Sequence, residues 1–128
     1  MIIEHAHQQL LFREREVWWC SLGLNVGAEE DGKNERFERP ILIVKKFNAD
    51  LFWAVPLTST HRDSPYYFKF HLRERESSII ISQIRTLSQK CPIRKIGKIG
   101  KTQFGLVSEM ICKQLKKQNG PLSGPSGA

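Results

Sequence analysis

The end of one predicted strand carries a run of side chains that could contact a phosphate. The segment AVPLTSTH finishes with three hydroxyl residues and a histidine: Thr58, Ser59, Thr60 and His61. Side chains released from a strand end into a loop are held in place and remain accessible. Hydroxyl and imidazole groups can hydrogen-bond a phosphate. An ordinary polar turn would have the same composition, so this segment alone leaves both interpretations open.

Arg39 precedes Pro40 at the predicted beginning of the neighbouring strand, a position at which proline is tolerated. In a tight antiparallel hairpin, the beginning of one strand lies beside the end of the other, so we expect Arg39 and Thr58 to be cross-strand neighbours. A guanidinium beside a hydroxyl can clamp a phosphate. The alternative is an arginine that contacts only solvent.

Two further polar side chains follow an apolar run in the segment SQIRTLSQK. Gln83 can hydrogen-bond a base edge, and Arg85 can bind a phosphate or stack on a base. A solvated strand end would contain the same residues.

The charge distribution favours a polyanionic partner. The net charge is +7, but residues 1–38 contain 4 basic and 8 acidic residues, whereas residues 39–128 contain 16 basic and 5 acidic residues. The segment from Arg85 to Lys101 holds six basic residues and no acidic residue. Such a region attracts nucleic acid, although a basic surface that only aids solubility would share this composition.

The sequence does not predict a metal or a cofactor. The three cysteines, Cys20, Cys91 and Cys112, are widely spaced and lack the Cys/His spacing of a zinc site, which favours free thiols. No glycine-rich phosphate loop is present. No apolar run approaches the roughly 20 residues that span a bilayer, and no secretory signal is apparent, so we expect a cytoplasmic protein without a membrane partner.

Five strands that position these side chains are predicted from apolar runs: Glu16–Leu22, Pro40–Phe47, Leu51–Leu57, Tyr66–Leu72 and Ser78–Ile84. The run ILIV is typical of a central strand, and Asn48 with Asp50 predicts a hairpin turn. In the first strand we expect Trp18 and Cys20 to face the core. Trp19 then serves a subunit contact or base stacking, or it is buried under a helix.

The remainder of the chain predicts a basic loop with at most one short strand, then a helix from about Thr102, the expected N-cap, to Lys117. An apolar stripe on that helix should cover one opening of the sheet: Phe104, Val107, Ile111 and Leu115. Together these elements predict a mainly β (α+β) fold, a small twisted β-barrel with a C-terminal helix. We expect an N-terminal extension over residues 1–12, the barrel domain over 13–117 and a disordered Gly/Pro/Ser-rich tail over 118–128.

The motifs, in their order and spacing, resemble the MazF/PemK (Kid) family of toxins from type II toxin–antitoxin systems. The matching segments are REREVWWCSLGLNVGAEEDGK, RPILIV, VPLTS and SIIISQIRTLSQK, and the resemblance covers roughly Arg13 to Leu115. It implies an SH3-like barrel of about five to seven strands and a homodimer. It also implies a metal-independent, sequence-specific endoribonuclease that cleaves single-stranded RNA, such as mRNA, and a cognate antitoxin that occupies the RNA site.

The resemblance also implies roles for individual residues. The family's catalytic arginine and hydroxyl residues map onto Arg39, Thr58 and Ser59. The loop between the first two strands maps onto residues 25–38. We expect the following residues to bind RNA: Asn25, Gly27, Glu29, His61, Gln83 and Arg85.

The chain departs from the family in ways that narrow the mechanism. Some members use a His/Arg/Asp set at positions that here hold Ala28, Ile80 and Ser82, so we expect the arginine–hydroxyl version, with the general base unassigned. The long acidic connection NVGAEEDGKNERFERP is predicted to be a mobile flap hinged at Gly27 and Gly32. Two alternatives remain open: a non-catalytic toxin of this fold that poisons DNA gyrase, and a catalytically silent RNA-binding module.

Overall fold

In the part of the chain that the structure describes, seven strands pair into one antiparallel sheet that is followed by a helix. The computed structural model describes residues 11–24 and 36–116, without the side chains of Leu24 and Arg36. The strands are β1 (Glu16–Leu24), β2 (Arg36–Lys46), β3 (Leu51–Thr58), β4 (Tyr67–Leu72), β5 (Arg75–Ile80), β6 (Arg85–Ser88) and β7 (Pro92–Lys98). A 3₁₀ turn covers Ile81–Gln83, and the helix α1 covers Lys101–Lys116. Residues 25–35 of the predicted flap, with its hinges at Gly27 and Gly32, the predicted disordered tail and residues 1–10 of the extension lie outside the described residues. Residues 36–40 of the predicted flap belong to β2.

The strand β3 lies at the centre of the sheet. One of its edges pairs with β2, and the opposite edge pairs first with β6, over residues 51–54, and then with β5, at Leu57 and Thr58. The strand order is β4-β5-β3-β2-β1-β7, with β6 beside β3. Among the described strands, β4 and β7 do not pair with each other, so the barrel-like sheet is not closed. The predicted mainly β fold with a C-terminal helix is confirmed.

Apolar side chains pack on both faces of the sheet. The first cluster includes Val17, Leu42, Val55 and Ile79, and α1 packs against it through the fully buried Val107. The second cluster contains alternate residues of β1, β2 and β3, together with Phe12 and with Leu87 of β6: Phe12, Trp18, Cys20, Ile41, Ile43, Phe52, Ala54 and Leu87. The prediction that Trp18 and Cys20 face the core is confirmed. Since successive side chains of a strand point to opposite faces, Val17 lies on the other face of β1, where it is buried in the first cluster.

The turn between β2 and β3 has the predicted chemistry. The side chain of Asn48 accepts hydrogen bonds from the backbone N–H groups of Asp50 and Leu51, at 2.7 and 2.9 Å. This Asx geometry supplements the backbone hydrogen bond from Phe47 N–H to the carbonyl oxygen of Leu51, at 3.0 Å. The predicted hairpin is confirmed.

Several predicted strand boundaries were wrong, among them the start of the fifth strand, which is Arg75 rather than Ser78. The strand β2 begins at Arg36 rather than at Pro40, because the polar residues before the proline pair with β1, as Cys20 with Arg39 shows. Arg39 therefore lies inside a strand and not at its entrance. The fifth strand ends at Ile80 rather than at Ile84, because the chain turns at Ile81, which is buried in the first cluster.

The segment after Leu87, predicted as a basic loop with at most one short strand, contains the strand β7, which pairs with β1 from Pro92 to Lys98. The strand β6, which begins at Arg85 and pairs with β3, was not predicted. Alternating basic residues on an exposed strand lack the apolar pattern that would have identified it from sequence.

The helix α1 begins at Lys101, so Thr102 lies in its first turn and its prediction as the N-cap was wrong. Three residues of the predicted stripe pack against the first cluster, whereas Leu115 is 80% exposed. No helix in the described part of the chain is long and apolar enough to cross a membrane.

Phe12, which was assigned to the extension, packs inside the second cluster and is 1% exposed. Its ring centroid lies 4.7 Å from that of Phe52, and the ammonium group of Lys46 lies 4.5 Å from the Phe12 centroid. The packed core therefore includes a residue upstream of the predicted boundary at position 13.

Glu16 is a buried acid at the start of β1, with 3% of its surface exposed. Its Oε1 accepts hydrogen bonds from Trp18 Nε1 and from the backbone N–H of Arg13, both at 2.9 Å, and its Oε2 lies 3.1 Å from Lys95 Nζ. One carboxylate thus links the chain before β1, β1 itself and β7.

Candidate functional site

Arg39 lines a cavity of about 500 Å³ between β2, the 3₁₀ turn and β6. The same cavity is lined by Gln83 and by Arg85, which is placed there because it pairs with Ala54 of β3. The guanidinium carbon of Arg39 lies 5.1 Å from the ring centroid of Phe37, which limits its freedom. No acidic residue is among the described residues of this lining. Two guanidinium groups and an amide with no neutralising carboxylate form an environment that suits a phosphate.

Thr58 and Ser59 line a second cavity, of about 360 Å³, at the end of β3. The backbone N–H of Thr60 donates to Thr58 Oγ1 at 3.1 Å, so the hydroxyl also shapes the turn that leaves the strand. Arg75 and Glu76 of β5 line this cavity as well, because β5 pairs with the last residues of β3. Hydroxyl, guanidinium and carboxylate groups therefore meet at one strand end.

His61 does not line the second cavity, but it has two partners on β5, one of which, Glu76, lines that cavity. Its Nδ1 lies 2.6 Å from the hydroxyl of Ser78, a fully buried residue, and its Nε2 lies 3.7 Å from Glu76 Oε1. Ser78 is the residue that pairs with Thr58. The ring of His61 is therefore held beside the end of β3.

Arg39 and Thr58 line separate cavities, whose lining residues do not overlap. The ladder between β2 and β3 extends only to Ile41 opposite Pro56, two residues short of an Arg39–Thr58 pair. Pro40, however, lines the cavity of Thr58, so consecutive residues of β2 contribute one to each cavity. The two cavities thus flank the same point of β2.

A third cavity, of about 560 Å³, adjoins the second and contains Trp19. The indole Nε1 donates to Glu38 at 2.8 Å, and the guanidinium carbon of Arg94 lies 5.8 Å from the ring centroid. No described residue of α1 lines this cavity, and Trp19 faces it rather than packing under the helix. Arg75 is shared with the cavity of Thr58, so the two form one continuous groove.

Sequence reasoning found Arg39, Gln83 and Arg85, which the structure brings together, but it missed the contributions of β5. The segment that contains Arg75 and Glu76 is strongly polar and has the pattern of a solvated strand end. Only the pairing of β3 with β5 places these residues beside Thr58. The predicted RNA-binding residues Asn25, Gly27 and Glu29 lie outside the described residues.

Among the described residues, no three His, Cys, Asp or Glu side chains are grouped so that they could hold a metal ion. Cys20 is buried, and this burial, with a smaller contribution from the neighbouring Cys91, raises the pKa of its thiol to about 12. A thiol with such a pKa is a poor nucleophile, so Cys20 contributes packing rather than chemistry.

Comparison with known proteins gives a family match over most of the chain. The family described as PemK-like, MazF-like toxin of type II toxin–antitoxin system matches residues 13–115. A comparison with curated proteins gives no match.

Several solved structures share the fold. The Mycobacterium tuberculosis toxin MazF-mt6 is 17% identical with a TM-score of 0.62, over 80% of this chain and 97% of that chain. MazF from Deinococcus radiodurans is 14% identical with a TM-score of 0.62, over 83% and 97% of the two chains. An endoribonuclease in complex with its cognate antitoxin, from a mycobacterial species, is 20% identical with a TM-score of 0.55, over 89% and 100%.

Proposed function

Because the chain belongs to the PemK-like, MazF-like toxins of type II toxin–antitoxin systems, we propose that it is an endoribonuclease that cleaves single-stranded RNA at specific sequences. The observation that carries this proposal is the grouping of Arg39, Gln83 and Arg85 in one cavity. Guanidinium groups bind phosphates, and an amide can read a base edge. The hydroxyls of Thr58 and Ser59 lie on the other side of the same point of β2.

The proposed reaction is attack of a ribose 2′-OH on the adjacent phosphorus, which needs no divalent metal. Arg39 stabilises the negative charge that develops on the phosphoryl oxygens, and Thr58 with Ser59 orients the phosphate and the 2′-OH. Gln83 and Arg85 hold the neighbouring nucleotides. The products are a 2′,3′-cyclic phosphate and a 5′-hydroxyl end.

We further propose a cytoplasmic homodimer that is inhibited by a cognate antitoxin. Structures of the same fold include an endoribonuclease with its cognate antitoxin and MazE–MazF from Deinococcus radiodurans, at 20% and 15% identity. Size-exclusion chromatography with light scattering tests the dimer, because a monomer at micromolar concentration would contradict it.

Incubation of a long unstructured RNA with the protein in EDTA tests the nuclease activity. We expect discrete fragments ending in cyclic phosphates, and we expect Arg39→Ala to lower the rate by roughly 10²–10³, the loss typical of a group that stabilises transition-state charge. Arg13→Ala is the matched control, since Arg13 is an exposed arginine that lines none of the three cavities.

Other outcomes of this assay would indicate a different mechanism or a different function. Loss of cleavage in EDTA, or full activity of Arg39→Ala, would overturn the proposed mechanism. Intact RNA together with inhibited DNA supercoiling would indicate a gyrase poison of the same fold. Binding of RNA without products would indicate a silent RNA-binding module.

A further inference from the structure

The proposed mechanism leaves the proton transfers unassigned, and a group of ionisable side chains beside Thr58 could perform them. We propose that Glu76 is the general base and His61 the general acid of RNA cleavage, with Arg75 as a second guanidinium on the phosphate. This inference rests on the proposed endoribonuclease function. It assigns roles to Arg75 and Glu76 of β5, and the motifs in the sequence identified neither residue.

Glu76 has the position that a general base requires. It lines the same cavity as Thr58 and Ser59, and its side chain is 49% exposed, so its carboxylate is accessible to a substrate. Arg75 lines that cavity too, so a phosphate bound there has a guanidinium partner. A base must come within hydrogen-bond reach of the proton that it removes, and a phosphate held by Arg75 and the hydroxyls would place its ribose beside Glu76.

His61 has the orientation that a general acid requires. The hydroxyl of Ser78 is fully buried and lies 2.6 Å from Nδ1, which fixes the ring. The other nitrogen, Nε2, faces Glu76 Oε1 at 3.7 Å. A protonated imidazole donates from both nitrogens, so in this arrangement one proton is held by Ser78 and the other points towards Glu76, which lines the cavity. The side chain of His61 is 27% exposed, so it is partly accessible from solvent.

The two groups complete a balanced reaction. Glu76 takes the proton of the 2′-OH while the 2′-oxygen forms a bond to phosphorus. The bond from phosphorus to the 5′-oxygen breaks, and His61 Nε2 gives its proton to that oxygen. Arg75 and Arg39 stabilise the phosphoryl oxygens during the exchange. After cleavage, the proton on Glu76 returns to His61, either through water or directly between the two groups.

Other charged groups surround this pair and enter its pH dependence. On β4, Lys69 lies opposite Ser78 and His71 lies opposite Glu76. Arg62 and Asp63 follow His61 in the loop, and Arg75 precedes Glu76 on β5. Glu109 of α1 and His71 of β4 are exposed and line none of the three cavities. They therefore provide matched control positions.

The first test is the pH dependence of RNA cleavage by Glu76→Gln and His61→Asn, with Glu109→Gln and His71→Asn as controls. The wild-type rate should be bell-shaped, because the base must be ionised and the acid protonated. We expect each variant to lose roughly 10²–10⁴ in rate, Glu76→Gln without the acid limb and His61→Asn without the alkaline limb. Equal losses in the control variants would overturn the assignment.

The second test separates the acid from the base. In an RNA with a bridging 5′-sulfur at the cleaved bond, the leaving thiolate needs no proton. His61→Asn should then cleave within a few-fold of the wild type, whereas Glu76→Gln should remain as defective as on the normal RNA. The rescue also shows that the His61 variant is folded. Persistent loss in His61→Asn would contradict its role as the acid.

The outcomes also separate this inference from the proposed function. If the wild-type protein cleaves no RNA, both proposals fall. If the wild type cleaves and both variants keep its rate and pH profile, the endoribonuclease stands and the roles of Glu76 and His61 are wrong.

Discussion

Replacement of Glu16 by glutamine should destabilise the protein, because this acid is buried and accepts hydrogen bonds from Trp18 and from the backbone of Arg13. Glutamine keeps the shape and one acceptor oxygen but removes the charge. Hydrogen bonds to a charged acceptor contribute about 1.5–3 kcal/mol and neutral ones about 0.5–1.5 kcal/mol, so two bonds lose about 2 kcal/mol. The Lys95 contact adds little, since that side chain is 48% exposed and its charge is screened.

The matched control is Glu38→Gln. Glu38 also accepts a hydrogen bond from a tryptophan Nε1, that of Trp19 at 2.8 Å, but this bond is exposed. We expect a loss of at most about 0.5 kcal/mol for Glu38→Gln, against about 2 kcal/mol for Glu16→Gln. Urea denaturation followed by circular dichroism measures both free energies of unfolding. Equal losses would refute the reasoning that burial decides the contribution.

The difference in the free energy of unfolding between the wild type and Glu16→Gln should also depend on pH. Burial by itself raises the pKa of Glu16, but the hydrogen bonds from Trp18 and Arg13 and the ammonium of Lys95 outweigh it and hold the pKa below its usual value. Stability from a carboxylate with a lowered pKa is fully present above the unfolded-state pKa and is lost as the pH falls through the folded-state pKa. The gap between wild type and Glu16→Gln should therefore narrow in acid. A gap that widened in acid would contradict this sign.

Three other changes test the packing and backbone of the fold. Phe12→Ala should lower the free energy of unfolding by about 3–5 kcal/mol, because the ring is 1% exposed, while Leu11→Ala, at a side chain 73% exposed, should change it little. Gly105→Ala should stabilise α1 by up to about 1 kcal/mol in thermal melts, since an added Cβ meets no atom within 4 Å. Gly23→Ala has the same free space but a φ of +99°, so it should destabilise by about 1 kcal/mol. Cys20 should react with a thiol reagent at pH 8 only at the rate of unfolding, because burial raises its pKa to about 12, and mass spectrometry of labelled peptides would detect faster labelling.

The strands with strong local signals could be predicted from the sequence. The run ILIV in β2 lies between β1 and β3, as expected of a central strand, and Asn48 closes the predicted hairpin. The spacing of Val107 and its apolar neighbours identified the face of α1 that packs on the sheet. These patterns are local, because each depends on residues a few positions apart.

The elements without such local patterns could be identified only from the tertiary structure. Residues 36–39 are largely polar and were assigned to the loop before the second strand, and residues 92–98 are basic and predicted at most a short strand. Both segments are strands because β1 offers both of its edges for pairing. The run SIIIS read as one continuous strand, but it breaks at Ile81 because the next segment pairs with β3 instead. Which strands become neighbours depends on contacts far apart in sequence, and no local pattern encodes it.

The candidate site also combines features that are local in sequence with features that depend on the fold. The sequence by itself determined which residues could bind a phosphate or a base, because chemical type and the positions of Arg39, Thr58 and Gln83 at predicted strand ends are local properties. Only the tertiary structure decided the grouping: Arg39 lies with Gln83, whereas Thr58 lies with Glu76. The physical reason is that β3 changes partners along one edge, from β6 to β5. The pairing with β6 places Arg85 in the cavity of Arg39, and the pairing with β5 places beside Thr58 a carboxylate that the motif had not contained.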